Sequence, residues 1–227
     1  MRRSAAAFRL REAKLRRLEA SGVILLDPSS TWVEGDVRIG AGTVIYPAVV
    51  IEGRSVIGRD CRIHAFVNLI DARLGNGVVI LSSSVIEGGR VGKGARVGPF
   101  THLRPGTVIR AGARVGNFVE MKNTVFGRRS VAAHLSYLGD AAVGDEVNIG
   151  AGTITCNFDR LRKNPTTIGS GAFIGSGARL VAPVKVGRNA VVGAGSTITK
   201  DVSAWALAVA RSRQKEFKDW AKRKPGK

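Results

Sequence analysis

Aliphatic residues recur at every sixth position along most of this chain. The series runs Ile39, Ile45, Ile51, Ile57, Ile63 and Leu69, then Val91, Val97, Leu103, Ile109, Val115 and Met121, then Ile168, Ile174, Leu180, Val186, Val192 and Ile198. A helix repeats near 3.6 residues and a strand near 2, so neither alone sustains a period of six, whereas three hexads close one triangular coil of a parallel β-helix. The spacing predicts an all-β solenoid. Glycine often follows the aliphatic residue, as at Gly40, Gly58, Gly92, Gly169 and Gly187, where a corner needs positive φ or close backbone approach. Two positions before an aliphatic stand small or β-branched residues such as Thr43, Ser55, Cys61 and Thr107, sized to share a narrow interior. One-residue slips between Leu69 and Leu74, Ile86 and Val91, and Leu138 and Val143 still allow coils to stack.

Outside the repeat, the stretch from Ala5 to Ser21 lacks Gly and Pro and carries Phe8, Leu10, Leu15 and Leu18 among charged residues. It predicts an amphipathic helix ended near Gly22. VILLDP follows as an extended segment, because Pro28 blocks helix continuation. We expect a linker helix and extended segment over 1–36, a β-helix domain over 37–201 and a basic tail over 202–227. The register breaks after Ile149 and Thr155 and resumes at Ile168. The intervening NFDRLRKNPTT is polar and basic and predicts an exposed loop, the kind of place where binding groups concentrate.

No apolar run approaches the roughly 18 residues that cross a bilayer, so the expectation is a cytoplasmic protein without membrane contact. Cys61 and Cys156 are too few for a disulfide framework. The formal net charge is +19, of which residues 1–19 hold +5 and residues 211–227 hold +6. Most of the excess thus lies in the tails, and the body lacks the aromatic stacking platform of single-strand binders. Nucleic acid is expected only in non-specific contact with the tails.

A β-helix fills its interior with side chains, so chemistry must reside on a face, a loop or a groove between subunits. Three dispersed histidines, His64, His102 and His134, do not suggest the convergent set a zinc site needs, and no metal is expected. His134 stands in AAHLSYLGD beside Tyr137 and Asp140. A neutral imidazole there could serve as general base or be a surface residue. The residues alone leave both readings open.

Longer strings resolve the choice. GPFTHLRPG, GARVGNFVEMKN, HLSYLGDAAVGDEVNIGAGTITCNFD, IGSGAFIGS, LVAPVKVG and AVVGAGSTIT resemble the acetyltransferase half of the bacterial bifunctional N-acetylglucosamine-1-phosphate uridyltransferase/glucosamine-1-phosphate acetyltransferase family, over nearly the whole chain. The resemblance implies a left-handed parallel β-helix of hexapeptide repeats, preceded by one N-terminal α-helix and assembled as a homotrimer. It implies His134 as catalytic base. Arg104, Lys122, Tyr137, Asn148 and Lys163 are implied for the sugar phosphate, and two cations suit a phosphate dianion. Ala151, Asn157, Phe158, Ser176, Ala194 and Arg211 are implied for acetyl-CoA, the co-substrate. Phe158 stands where the family commonly has Tyr, and the loop carrying Lys163 is more basic than usual.

The implied reaction moves acetyl from acetyl-CoA to the amine of glucosamine-1-phosphate, in the pathway to UDP-N-acetylglucosamine and cell-wall precursors. Uridyltransferase activity is not expected, because the nucleotide-binding Gly-rich loop is not in this sequence. The alternatives are a hexapeptide acyltransferase acting on another amino sugar and a non-catalytic basic solenoid.

Overall fold

The computed structural model describes residues 5–222. Arg2, Arg3, Arg223, Lys224 and Lys227, counted above among the tail charges, lie outside the described residues. The helix spans Ala5–Ala20 and packs Leu15 and Leu18 into the start of the core. It stops at Gly22, whose φ of +90° suits glycine. No helix among the described residues is long and apolar enough to cross a membrane.

Beyond the helix the chain winds into a parallel β-solenoid with three flat faces, and every aliphatic of the hexad series is buried. The first face stacks strands such as Arg62–Ile63, Val79–Ile80 and Arg96–Val97, all in parallel register. The second stacks Asn68–Ile70, Val85–Glu87 and His102–Leu103. The third is a sheet of nine strands from Arg38–Ile39 to Val184–Val186. Within each strand the aliphatic points inward and its neighbour outward, as the two-residue alternation of a strand requires. Thr43, Ser55, Cys61 and Thr107 are buried beside them. Their polar groups are paired to the backbone, as in the 2.9 Å bond from Thr43 Oγ1 to Gly58 O.

Two strands are longer than the rest. Arg114–Lys122 and Val131–Gly139 each run from the first face around an edge onto the second. They lie in register, with Asn117 opposite His134 and Glu120 opposite Tyr137. Their closeness depends on Gly116, since a Cβ there would stand 1.7 Å from Ala133 O. The one-residue slips sit at the edge between the second and third faces, where Asp71, Gly88 and Asp140 take positive φ.

Candidate active site

His134 projects from the edge between the first and second faces. It is exposed, and it directly precedes Leu135, which has a φ of +53°. A left-handed leucine is costly in isolation. Here it recurs at the equivalent corners Phe66, Phe100 and Phe118, so it belongs to the coil geometry rather than to the chemistry. Leu135 O is held by Gly152 N at 2.7 Å.

The same edge continues through Ala151, Ser176 and Ala194. Gly177 N donates to Ala151 O and Gly195 N to Ser176 O, at 2.7 and 2.8 Å, which makes these residues successive rungs. On both sides of each, the glycine amides are engaged: Gly150 with Ile174 O, Gly175 with Val192 O and Gly193 with Ala208 O. The amides of Ala151, Ser176 and Ala194 themselves have no acceptor among the described residues. Their small side chains leave that row of N–H groups open. Arg211 closes the row, its Nη1 donating to Ala194 O at 2.7 Å. Asn148 sits on the first face, one rung below Val131.

Arg104, Lys122 and Tyr137 share the second face. Lys122 lies opposite Gly139 in register. A Cβ at Gly139 would meet Tyr137 Oη at 2.5 Å and Asn157 Nδ2 at 2.6 Å, so the absence of a side chain seats both groups. Arg104 Nη1 donates to Glu120 Oε1 at 2.8 Å. That bond is the main reason its guanidinium is held above its ordinary pKa. The spacing did not single out Glu120, although an acid two residues before Lys122 on an outward position was its available signal.

Asn157, beside Tyr137 at Gly139, begins the loop at the edge between the second and third faces that also carries Phe158 and Lys163. Asp140 anchors that loop. Its carboxylate accepts from Asn157 Nδ2 at 2.5 Å and from Asn123 Nδ2 at 2.7 Å, and Asn164 N donates to Asn157 O at 2.7 Å. Within the loop, Asp159 accepts from the amides of Leu161 and Arg162 and from Asn164 Nδ2. These bonds, the Arg162 amide first, hold its carboxyl down at about 2. Lys163 Nζ sits 4.5 Å from the centre of the Phe158 ring, a cation–π contact that keeps it near the loop base.

The implied site residues thus form two groups in one chain. His134 and Asp140 stand six positions apart along largely extended strand, on the order of 15–20 Å. The His134 edge is convex. A concavity of about 560 Å³ lies instead between the helix and the first coils, lined by Leu10, Trp32 and Val37. The other histidines are engaged on earlier coils, His64 at this same edge and His102 on the second face. His64 stacks on Tyr46 with ring centres 4.5 Å apart, and His102 Nε2 lies 3.4 Å from Glu87 Oε2.

The bacterial transferase hexapeptide (six repeats) family matches residues 36–70 and 165–200. The chain is 51% identical over 215 residues to the bifunctional protein GlmU of Heliobacterium modesticaldum, covering 95% of this chain and 47% of that protein. It is 47% identical over 219 residues to GlmU of Thermotoga maritima, with coverages of 95% and 48%. The chain therefore spans about half the length of these curated relatives. Among solved structures it is similar in fold to the UDP-N-acetylglucosamine acyltransferase of Francisella novicida. The TM-score is 0.54 at 18% identity, over 82% of this chain and 67% of that one. The solenoid is thus a left-handed parallel β-helix of transferase hexapeptide repeats, and over nearly its whole length the chain is a homologue of the acetyltransferase half of the bifunctional GlmU proteins.

Proposed function

We propose that this chain is an acetyl-CoA-dependent N-acetyltransferase acting on glucosamine-1-phosphate in the cytoplasm, with the solenoid, whose paired strands run past the expected 37–201 from Ile24–Leu25 to Leu207–Ala208, and Arg211 beyond it as the catalytic unit. The observation that carries this reading is the straight row on one edge: a solvent-facing imidazole at His134, then three open backbone amides at Ala151, Ser176 and Ala194, then the Arg211 guanidinium. Rungs about 4.8 Å apart suit the extended pantetheine arm of coenzyme A. Its amide carbonyls would meet the N–H groups, and a coenzyme phosphate would meet Arg211. The thioester then lies at the His134 end.

The sugar amine must be unprotonated to attack the thioester carbonyl. His134 accepts the proton released as the tetrahedral intermediate forms, and the Ala151 amide stabilises the oxyanion. The thiolate leaves and takes a proton, which gives N-acetylglucosamine-1-phosphate and free coenzyme A. Arg104 and Lys122 hold the sugar phosphate, with Tyr137 and Asn148 orienting the ring. Arg104 exchanges its bond to Glu120 for bonds to phosphate.

A convex edge cannot enclose a substrate, and the Asn157, Phe158 and Lys163 loop stands a face-width from His134 of its own chain. Both facts support a homotrimer whose sites lie between neighbouring solenoids, each pairing the His134 edge of one chain with the Lys163 loop of the next. The exposed side chains of Phe66, Phe100, Phe118 and Leu135 along the same edge give that interface an apolar component, and Phe100 stacks on Phe118. The test is release of the coenzyme A thiol in the presence of different amino sugars. Release that depends on glucosamine-1-phosphate and exceeds that with nucleotide-linked amino sugars is expected. Equal or greater release with a nucleotide-linked amino sugar would reassign the acceptor, and no acceptor-dependent release would remove the enzyme.

A further inference from the structure

Two carboxylates flank Arg104 on the second face, and a histidine joins them. Leu103 lies opposite Ile86 on the coil below, so the residues that follow them, Arg104 and Glu87, stand one above the other. His102 lies opposite Val85 below and Glu120 above, and its Nε2 is 3.4 Å from Glu87 Oε2. Arg104 Nη1 is 2.8 Å from Glu120 Oε1. That bond, and to a lesser degree the field of Glu87, hold the guanidinium above its ordinary value. Two acids and two bases thus alternate around a square of Glu87, His102, Glu120 and Arg104, all partly open to solvent. The charged and titratable groups around His102 are Glu87 on the strand below, Glu120 and Lys122 on the strand above, Arg104 on its own strand and Tyr137 one rung further up.

A sugar phosphate upsets that balance. On the reading given under the proposed function, Arg104 leaves Glu120 and joins Lys122 on the phosphate. Glu87 and Glu120 then remain as two carboxylates beside a dianion, and like charges at such short range repel. His102 is the one base left in the square. Imidazole is the side chain whose charge changes nearest physiological pH, and once protonated both of its ring nitrogens donate. One can serve Glu87 and the other Glu120, which flank it below and above.

We propose that His102 is a positioning residue for the sugar phosphate: it takes up a proton from solvent as the phosphate binds, and the imidazolium replaces Arg104 as the cation beside Glu120. The proposal rests on the phosphate site described above and adds to it a proton-linked step. Protonation and binding favour each other reciprocally. The added affinity is therefore present at low pH, where His102 carries its proton, and is lost as pH rises through the titration of the imidazole.

The test measures KM for glucosamine-1-phosphate, and kcat, from about pH 6 to pH 8.5 at saturating acetyl-CoA. It compares the full chain with His102→Gln, His102→Arg and Arg104→Ala. The amine and phosphate of the substrate titrate identically in every arm, so the ratio of KM between variant and unaltered chain isolates His102. At the acid end His102→Gln should raise KM about fivefold or more, and at the alkaline end it should change KM little. Its kcat should be little altered, because the imidazole touches no reacting atom. His102→Arg keeps the cation at every pH. It should match the unaltered chain at the acid end and show the lower KM, by a similar factor, at the alkaline end, and it carries the test alone should His102→Gln fail to fold. A KM raised equally at every pH by both substitutions would mark a packing role and overturn the proposal. If neither substitution changes KM at any pH while Arg104→Ala raises it, the phosphate site stands and the part given to His102 falls. If Arg104→Ala also leaves KM unchanged, the phosphate site itself is misplaced and the proposal falls with it.

Discussion

Asp140 and Asn157, seventeen residues apart in sequence, meet at 2.5 Å through carboxylate and side-chain amide. An ionised carboxylate only accepts hydrogen bonds, so Asn157 must turn its Nδ2 toward Asp140. Its Oδ1 is left to accept from a ligand. A hydrogen bond to a charged group contributes about 1.5–3 kcal/mol, and this one fastens the base of the Lys163 loop. Asp140→Asn should therefore leave the solenoid folded but open the loop roughly tenfold or more often. Trypsin cleavage at Arg160, Arg162 or Lys163 measures that opening. Unchanged cleavage would show that the loop is held by other contacts, Asp159 foremost.

The period of six made the solenoid and its buried residues legible, because each aliphatic position is a repeated local demand of the coil, and the Gly- and Pro-free amphipathic stretch before it made the initial helix legible. The row His134, Ala151, Ser176 and Ala194 was less legible. Residues 134 and 151 are seventeen apart, whereas 151 and 176 are twenty-five apart because the loop intervenes, and only the stacking shows them to be successive rungs. The open amides of Ala151, Ser176 and Ala194 have no side-chain signature at all. Glu120 and Asp140 went unassigned for a related reason. Each acts through one partner, Arg104 or Asn157, which becomes a neighbour only when adjoining coils stack.

Arg104 begins paired to Glu120 and must change partner when the sugar phosphate arrives. Arg104→Ala and Lys122→Ala remove interactions made in ground and transition states alike, so KM for glucosamine-1-phosphate should rise more than kcat falls. Steady-state kinetics with each substrate varied in turn provide the check. A loss confined to acetyl-CoA affinity would mean that the two halves of the site are exchanged.

Gly116 and Phe126 test the packing. Gly116→Ala forces a Cβ against Ala133 O, and overpacking of this kind costs about 1–3 kcal/mol. Phe126 is fully buried, and Phe126→Ala should cost about 3–5 kcal/mol. Both should lower the midpoint of urea unfolding. An unshifted midpoint for Phe126→Ala would contradict the core described above.

The central claim is that one working site takes His134 from one chain and Lys163 from its neighbour. Removing a general base costs about 10²–10⁴-fold, so His134→Ala chains alone should be nearly inactive, and Lys163→Ala chains alone strongly impaired. Mixed trimers co-expressed from equal amounts of the two should regain about one quarter of unaltered activity, because in a closed three-fold ring one interface in four joins an intact His134 to an intact Lys163. Activity no higher than the average of the two separate variants would contradict the claim and place both residues in a site made by a single chain.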